Sequence, residues 1–152
     1  LQGAWPGIRT LRDVSAEQLD ELGHLLPPPL DRRARHAVEE CGRVRRGAEA
    51  LRAGRVDELL ELMADSHRSS RDLYEVSIPE LDLLAETAWS VEGCWGARLA
   101  GGGFGGCALA LAHVDAVDEL KRRLGDAFSA RFGRTPGWLE TRIAEGARVA
   151  TT

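Results

Sequence analysis

A run of glycines between two apolar segments is the feature that most limits how this chain can fold. Residues 101–106 hold five glycines and one phenylalanine. The segment before them, Cys94–Ala100, and the segment after them, residues 107–114, each predict a β-strand, and the second is expected to be covered on both faces. Each such glycine costs about 0.5–1 kcal/mol relative to alanine in regular structure. The run therefore indicates a loop that needs positive φ or that something must approach closely.

Two interpretations of this loop remain open from the residues alone. Its N–H groups can converge on an anion, or the glycines can form a tight connection between strands. The match to G-x-G-x-x-G is weak, because a strand follows the glycines where a dinucleotide-binding fold needs a helix. The sequence also lacks the HRD and DFG motifs of protein kinases and the Walker phosphate loop.

Apolar residues spaced three and four apart predict five helices. The predicted helices cover residues 16–22, 30–53, 56–73, 79–92 and 117–132. Ser15 and Gln18 form a capping-box pattern at the first helix, and Ser77 is expected to cap the fourth. Gly54 and Gly133 are expected to end the second and fifth helices.

The order of these elements predicts an α+β fold, in which helices pack on one face of a mainly antiparallel sheet as a ferredoxin-like variant. Residues 138–141 and 147–150 are each expected to form a short final strand. We expect a single domain over residues 1–152. Its predicted parts are a lead-in at 1–14, a helical part at 15–93 and a strand–loop–strand–helix–strand part at 94–150.

Composition excludes several classes of function. The chain has 20 Lys and Arg against 24 Asp and Glu, and this net charge of −4 argues against a nucleic-acid partner. The sequence has no apolar run long enough for a transmembrane helix and no signal-peptide pattern, so no membrane partner is expected. Cys41, Cys94 and Cys107 lack metal-site spacing and indicate reduced, cytoplasmic thiols, with Cys107 expected to be a buried small residue.

Two stretches of the sequence carry a family resemblance. Residues 96–107, GARLAGGGFGGC, resemble the third signature motif of galactokinases, in the GHMP small-molecule kinase superfamily. Residues 63–82, MADSHRSSRDLYEVSIPELD, are similar to a second galactokinase pattern, from which Ser70 and Ile78 are mild departures. Shorter matches at residues 11–14 and 33–36 extend the resemblance over about residues 9–150.

The resemblance implies the C-terminal domain of an enzyme that phosphorylates galactose with ATP and Mg²⁺. The family's sugar-recognition sequence, phosphate loop and catalytic Asp and Arg belong to an N-terminal domain that this sequence lacks. We therefore expect no catalytic residue, no metal ligand and no activity from the chain alone. Its implied partners are the N-terminal domain, galactose and ATP. The start at Leu1 rather than methionine leads us to expect a piece of a longer protein. The alternatives are another GHMP kinase and a non-catalytic sensor or interaction module.

The resemblance places the glycine loop in the cleft between the two domains. The loop residues are Gly101, Gly102, Gly103, Phe104, Gly105 and Gly106. Arg98, Ser66 and His67 are expected to support the cleft, where Arg98 either reaches an anion or makes a surface pair. A hydrolytic triad of Ser66, His67 and Asp72 is disfavoured, because neighbours on one helix point about 100° apart. Four carboxylates are expected to be caps and ion-pair partners rather than metal ligands: Asp72, Glu75, Glu80 and Asp82.

Overall fold

The computed structural model describes Gly3 and residues 6–146 and contains five α-helices and two β-strands over this part of the chain. The helices are α1 (Ala16–Leu22), α2 (Leu30–Arg52), α3 (Val56–Asp72), α4 (Pro79–Trp89) and α5 (Val117–Phe132), and the strands are β1 (Cys94–Ala100) and β2 (Cys107–Ala112). Short 3₁₀ turns occur at Leu11–Asp13, Gly23–Leu25 and Val114–Ala116. The predicted α+β class and the five predicted helices are confirmed. Among the described helices, none is long and apolar enough to cross a bilayer.

The predicted helix caps form as expected, with one exception. Ser15 Oγ accepts the N–H of Gln18 at 3.2 Å, and Gln18 Oε1 accepts the N–H of Ser15 at 2.9 Å, which closes the predicted capping box. Gly133 ends α5 in the left-handed conformation, with φ +65°. The expected cap of α4 by Ser77 is wrong. Ile78 is the N-cap residue, and the Ser77 hydroxyl donates to Asp82 Oδ1 at 2.5 Å instead.

The sheet consists of β1 and β2, paired antiparallel from Cys94↔Ala112 to Ala100↔Cys107. The register shifts between Cys94 and Gly96, and this bulge turns Trp95 outward. Strict alternation along β1 would place Trp95 on the same face as the buried Ala97, but Trp95 is 46% exposed. The strand expected at residues 138–141 is wrong, since this segment has no regular structure. The strand expected at 147–150 lies outside the described residues.

Two clusters of buried apolar side chains hold these elements together. One joins α4 and α5 to the sheet and contains Ala85, Ala88, Val91, Ala97, Leu120 and Leu124. The other lies under the first helix and contains Ile8, Val14, Leu19, Ala34 and Val38. The predicted lead-in is therefore anchored to α2 through Ile8 and Val14 rather than loosely attached.

Two apolar surfaces that the sequence pattern groups with the core are open to solvent. Leu109 on β2 is 50% exposed, so the expectation that this strand is covered on both faces is wrong for the described residues. Val44 and Leu51 belong to the apolar stripe of α2, yet they are 65% and 63% exposed. Helix α2 therefore buries only part of its apolar surface.

Candidate functional site

The glycine loop at residues 101–106 joins β1 to β2 in a conformation that only glycine adopts readily. Gly101, Gly103, Gly105 and Gly106 have φ values between +80° and +128°, and Phe104 has φ +57°. The requirement for positive φ follows directly from this geometry.

The loop rests on the segment between α3 and α4. The N–H of Phe104 donates to the carbonyl oxygen of Val76 at 2.7 Å. A Cβ on Gly103 would lie 2.2 Å from that same oxygen, so no side chain fits there. The N–H of Val76 in turn donates to the carbonyl of Ser70 near the end of α3. The two sequence motifs, separated along the chain, are thus in direct backbone contact.

The rest of the loop faces open space. Apart from its immediate chain neighbours, no heavy atom of the described residues lies within 4 Å of a Cβ built on Gly101, Gly102 or Gly105. Within the described part of the chain, the N–H groups of these three glycines donate to no acceptor. The Phe104 side chain is 75% exposed. The loop therefore offers free backbone donors beside an uncovered aromatic ring, which is an arrangement able to receive an anion.

His67 lies at the centre of the contacts behind the loop. Its Nδ1 accepts the backbone N–H of Leu99 in β1 at 3.1 Å, and its Nε2 lies 3.3 Å from Asp82 Oδ1 in α4. Trp89 meets the imidazole edge-on, with ring centroids 5.7 Å apart. Burial lowers the pKa of His67, and the nearby Asp82 carboxylate opposes this effect without overcoming it. A neutral imidazole therefore bonds α3 to β1 and faces α4, where its buried Nε2 lies near Asp82 but makes no hydrogen bond within the described residues.

Ser66 and Arg98 meet at Glu40 of α2 rather than at the loop. Ser66 Oγ donates to Glu40 Oε1 at 2.5 Å, and an Nη2 atom of Arg98 lies 3.7 Å from the same oxygen. Burial alone would raise the pKa of Glu40, but hydrogen bonds from Ser66 and Arg43 outweigh burial and lower it. Of the two alternatives for Arg98, the structure has the pair with a carboxylate, while its Nε is buried without a partner in the described residues.

A buried polar network between α2 and α3 was not expected from the sequence. Arg43 lies where Arg and Glu alternate along α2, yet it is only 9% exposed and donates to Ser69 Oγ at 2.8 Å. Ser69 Oγ also lies 2.9 Å from Nδ1 of His36, whose ring stacks on Tyr74. The only sequence signal for this buried network was the alternation of Arg and Glu along α2, and such alternation is more typical of a solvent-exposed helix face.

The other predicted side chains fall into structural roles. Ser66 and His67 bond to different elements, so they form no triad with Asp72, which pairs with Arg71. The remaining carboxylates also have partners: Glu75 pairs with Arg32, Glu80 with Arg134, and Asp82 with Ser77 and His67. Cys107 is exposed at the start of β2, so the expectation that it is buried is wrong for the described chain. Its side chain projects on the sheet face that also leaves Leu109 open.

Comparisons with known proteins agree on one family. A family model described as GHMP kinases C terminal matches residues 48–130. A galactokinase of Roseiflexus sp. (strain RS-1) is 46% identical over 146 residues, which cover 96% of this chain and 37% of that protein. The structure of Lactococcus lactis galactokinase in complex with galactose has a TM-score of 0.82 at 40% identity, over 84% of this chain and 33% of its own.

A more distant neighbour belongs to the same fold. The structure of L. major mevalonate kinase in complex with R-mevalonate has a TM-score of 0.55 and 28% sequence identity. It covers 77% of this chain and 34% of its own. The chain spans about a third of the length of the relatives it matches.

Proposed function

Because this chain belongs to the GHMP kinase family, whose C-terminal domain it supplies, we propose that it is part of a galactokinase that transfers the γ-phosphoryl group of ATP to the 1-hydroxyl of galactose. The observation that carries this proposal is the 46% identity to a galactokinase over 96% of the chain. The weaker likeness to mevalonate kinase, at 28% identity, supports the sugar over a small alcohol as the substrate.

In this proposal the glycine loop forms one wall of the site where the sugar and ATP meet. ATP supplies the phosphoryl group, and such transfer depends mainly on positioning and on neutralising negative charge. The free N–H groups of Gly101, Gly102 and Gly105 are suited to neutralise an oxygen of the transferred group. Positioned donors of this kind are worth on the order of 10² to 10³ in rate. The exposed ring of Phe104 would exclude water from the same space.

We propose that the Mg²⁺ of the complete enzyme is held by ligands outside the described part of this chain. Among those residues, no group of three or more His, Cys, Asp or Glu side chains could hold a metal ion. The nearby carboxylates are already committed to arginine, serine or histidine partners. We therefore place the Mg²⁺ ligands of the complete enzyme in its other domain and assign no step through the metal to these residues.

The exposed apolar face of α2 is the surface that we propose for the N-terminal domain. Val44 and Leu51 are both more than 60% exposed, and Cys41 and Ala48 continue the stripe between them and beyond. A groove of about 480 Å³ opens beside this face, where His36 and Tyr74 contribute its walls. Because the matching family model describes a C-terminal part, the missing two-thirds of the relatives' length would precede this chain. Burial of this stripe against that segment would complete the amphipathic helix.

The cellular setting that we propose is the cytoplasm. Cys41, Cys94 and Cys107 are all free thiols, and Cys107 is exposed. Free exposed thiols persist in reducing compartments. Mass-tagging of thiols in lysate of the native host would test this, with three reactive thiols expected from this chain after unfolding.

The decisive experiment is an ADP-release assay on the complete protein with ATP, Mg²⁺ and galactose. We expect turnover that depends on galactose, with the 152-residue chain alone at the level of a no-protein blank. Turnover on mevalonate or another small alcohol, but not on galactose, would favour a different GHMP kinase. Calorimetric binding of galactose and ATP with no ADP release would instead support a non-catalytic sensor.

A further inference from the structure

Helix α3 and the segment that follows it hold the glycine loop at two points that lie on either side of its first three glycines. The first point is Leu99, two residues before the loop, whose N–H donates to Nδ1 of His67. The second is Phe104, whose N–H donates to the carbonyl of Val76 just beyond the end of α3. Between these two points, no heavy atom of the residues that the structure describes lies within 4 Å of a Cβ built on Gly101 or Gly102, chain neighbours apart. The course of the free part of the loop is therefore determined by its two anchors.

The two anchors are also linked to each other. Asp82 Oδ1 lies 3.3 Å from Nε2 of His67 and accepts the hydroxyl of Ser77, the residue after Val76. The Asp82 carboxylate thus connects the imidazole that holds β1 with the segment that holds Phe104. Contacts from α3, α4 and β1 thus meet at His67, whose side chain is fully buried at 0% exposure.

We propose that His67 is a positioning residue for the glycine loop: by holding the Leu99 N–H at Nδ1 and facing Asp82 with Nε2, it sets the course of the loop that receives the phosphoryl group. The proposal deepens the proposed function, on which the phosphoryl part of this statement rests. The anchoring part rests on the geometry of α3, α4 and β1 alone.

The imidazole has the right chemistry for this position only in its neutral form. A backbone N–H can only donate, so Nδ1 must accept and the ring proton must lie on Nε2, toward Asp82. The charged groups that act on the ring are Asp82 and Glu86 from α4, Arg71 from its own helix and Arg98 from β1. Burial outweighs the two carboxylates and lowers the pKa of His67. Protonation at low pH would put a second N–H against the Leu99 N–H and break the anchor.

Hydrogen exchange on the complete protein tests the anchor without any assay of activity. His67→Leu removes the acceptor, whereas His67→Gln keeps an oxygen for the Leu99 N–H and an N–H for Asp82. We expect His67→Leu to speed exchange at the two hydrogen-bonded amides, Leu99 and Phe104, by about tenfold or more, and His67→Gln to stay within about threefold of the wild type. Leu124→Ala, a core change on α5 away from the loop, controls for general loss of stability. Unchanged exchange at Leu99 in His67→Leu would overturn the proposal.

Kinetics of the same variants test whether the anchor matters for the reaction. We expect His67→Leu to lower kcat by about tenfold to a hundredfold with a smaller change in the KM for galactose, and His67→Gln to recover most of this loss. The wild type should also lose kcat on the acid side of neutrality, and His67→Gln should lack that limb. Equal kcat values for His67→Leu, His67→Gln and Leu124→Ala would show that His67 contributes only to the stability of the fold and does not position the loop for the reaction.

The two proposals fail in distinguishable ways. If the wild type shows no kinase turnover while His67→Leu still speeds exchange at Leu99 and Phe104, the proposed function fails and the anchor stands. If the wild type is active and the amides do not respond, the anchor fails and the function stands. Should His67→Leu not fold, the protection factor of the Leu99 amide, which corrects its exchange rate for the intrinsic rate at each pH, is compared between pH 7 and pH 5 in the wild type and in His67→Gln. A protection factor that falls toward pH 5 in the wild type alone is then the expected result.

Discussion

The backbone of Val76 occupies the place where a side chain on Gly103 would have to go. The built Cβ would lie 2.2 Å from the Val76 carbonyl oxygen and 2.6 Å from its Cβ, and Gly103 has φ +80°. Any side chain introduced at Gly103 would therefore clash with the protein backbone, whether or not a ligand is bound. Gly102, one residue earlier, has ordinary φ and open space, so a methyl group added there meets only what binds from outside.

This contrast predicts opposite effects for two adjacent alanine substitutions. Gly103→Ala should lower the free energy of unfolding of the complete protein by about 2–3 kcal/mol, because of the backbone strain and the clash. Gly102→Ala should change the free energy of unfolding by less than about 0.5 kcal/mol. Urea unfolding of both variants measures this. Equal stabilities would show that the loop does not rest on Val76 in solution.

Activity separates the same two variants in the other direction. If the phosphoryl group approaches the loop, Gly102→Ala should lower kcat/KM by about tenfold to a hundredfold in a fully folded enzyme, through loss of close approach to backbone donors. Normal kinetics of Gly102→Ala would show that the loop does not lie in the active-site cleft. A Gly103→Val substitution, in contrast, mixes the two effects and distinguishes nothing.

A second prediction concerns the buried guanidinium of Arg43. It bonds to Glu40 Oε2 and Ser69 Oγ, each at 2.8 Å, and is 9% exposed. Arg43→Met should lower the free energy of unfolding by about 2–3 kcal/mol, because Glu40 and Ser69 lose a donor in a partly buried site. Arg46→Met, on the exposed face of the same helix, should cost less than about 0.5 kcal/mol.

A double-mutant cycle with Ser69→Ala isolates the Arg43–Ser69 hydrogen bond. We expect a coupling free energy of about 0.5–1.5 kcal/mol from urea unfolding of the four proteins. Additive losses would mean that Arg43 acts only through the carboxylates Glu39 and Glu40.

Local patterns were sufficient to predict most of the elements but not their contacts. The bounds of α1 and β1 follow from the capping box at Ser15 and from the glycines after Ala100, which are signals within a few residues. The contact of Gly103 with Val76 joins residues 27 positions apart, as their numbers show, and no spacing rule reports it. The positive φ of the loop was predictable from composition, whereas what supports it was not.

Two physical causes account for the wrong predictions about which side chains are buried. A bulge after Cys94 shifted the alternation of β1 by one residue, and this shift turned Trp95 outward. An apolar residue also predicts burial without saying what covers it. Leu109 and Val44 carry the pattern of covered positions but face solvent in this chain, because their cover is not provided by the described residues. The periodicity of apolar residues shows that a helix or strand face must be covered, but it does not show which part of the protein covers it.

A third prediction follows from two histidines. Burial is the largest influence on both His36 and His67 and lowers the pKa of each below the ordinary value of 6.5. The unfolded chain therefore binds more protons than the folded chain in this range, so stability is complete above pH 6.5 and is lost as the pH falls through the lowered pKa values. Carboxylates with lowered pKa values, such as Glu40, lose their contribution only at lower pH, below the ordinary value of 4.5.

Urea unfolding between pH 7 and pH 5 measures this dependence. As the pH is lowered, the free energy of unfolding of the wild type should decrease. It should decrease less steeply in His67→Gln, and its slope against pH should be smallest in the double variant with His36→Gln. A slope in the double variant equal to that of the wild type would assign the dependence to other groups.

The last prediction tests the surface proposed for the N-terminal domain. Val44 on α2 and Val114 in the turn before α5 are 65% and 72% exposed, so valine-to-aspartate changes at the two sites form a matched pair. In the complete protein, Val44→Asp should lower the free energy of unfolding by about 2–4 kcal/mol, because a charge is buried without a partner at the domain boundary. Val114→Asp should cost less than about 0.5 kcal/mol.

In the 152-residue chain both changes should be small, since both side chains are in water. Equal effects of the two substitutions in the complete protein would show that the N-terminal domain packs elsewhere. If Val44→Asp instead converted a dimer of the complete protein to a monomer in sedimentation, the covering surface would be a second copy.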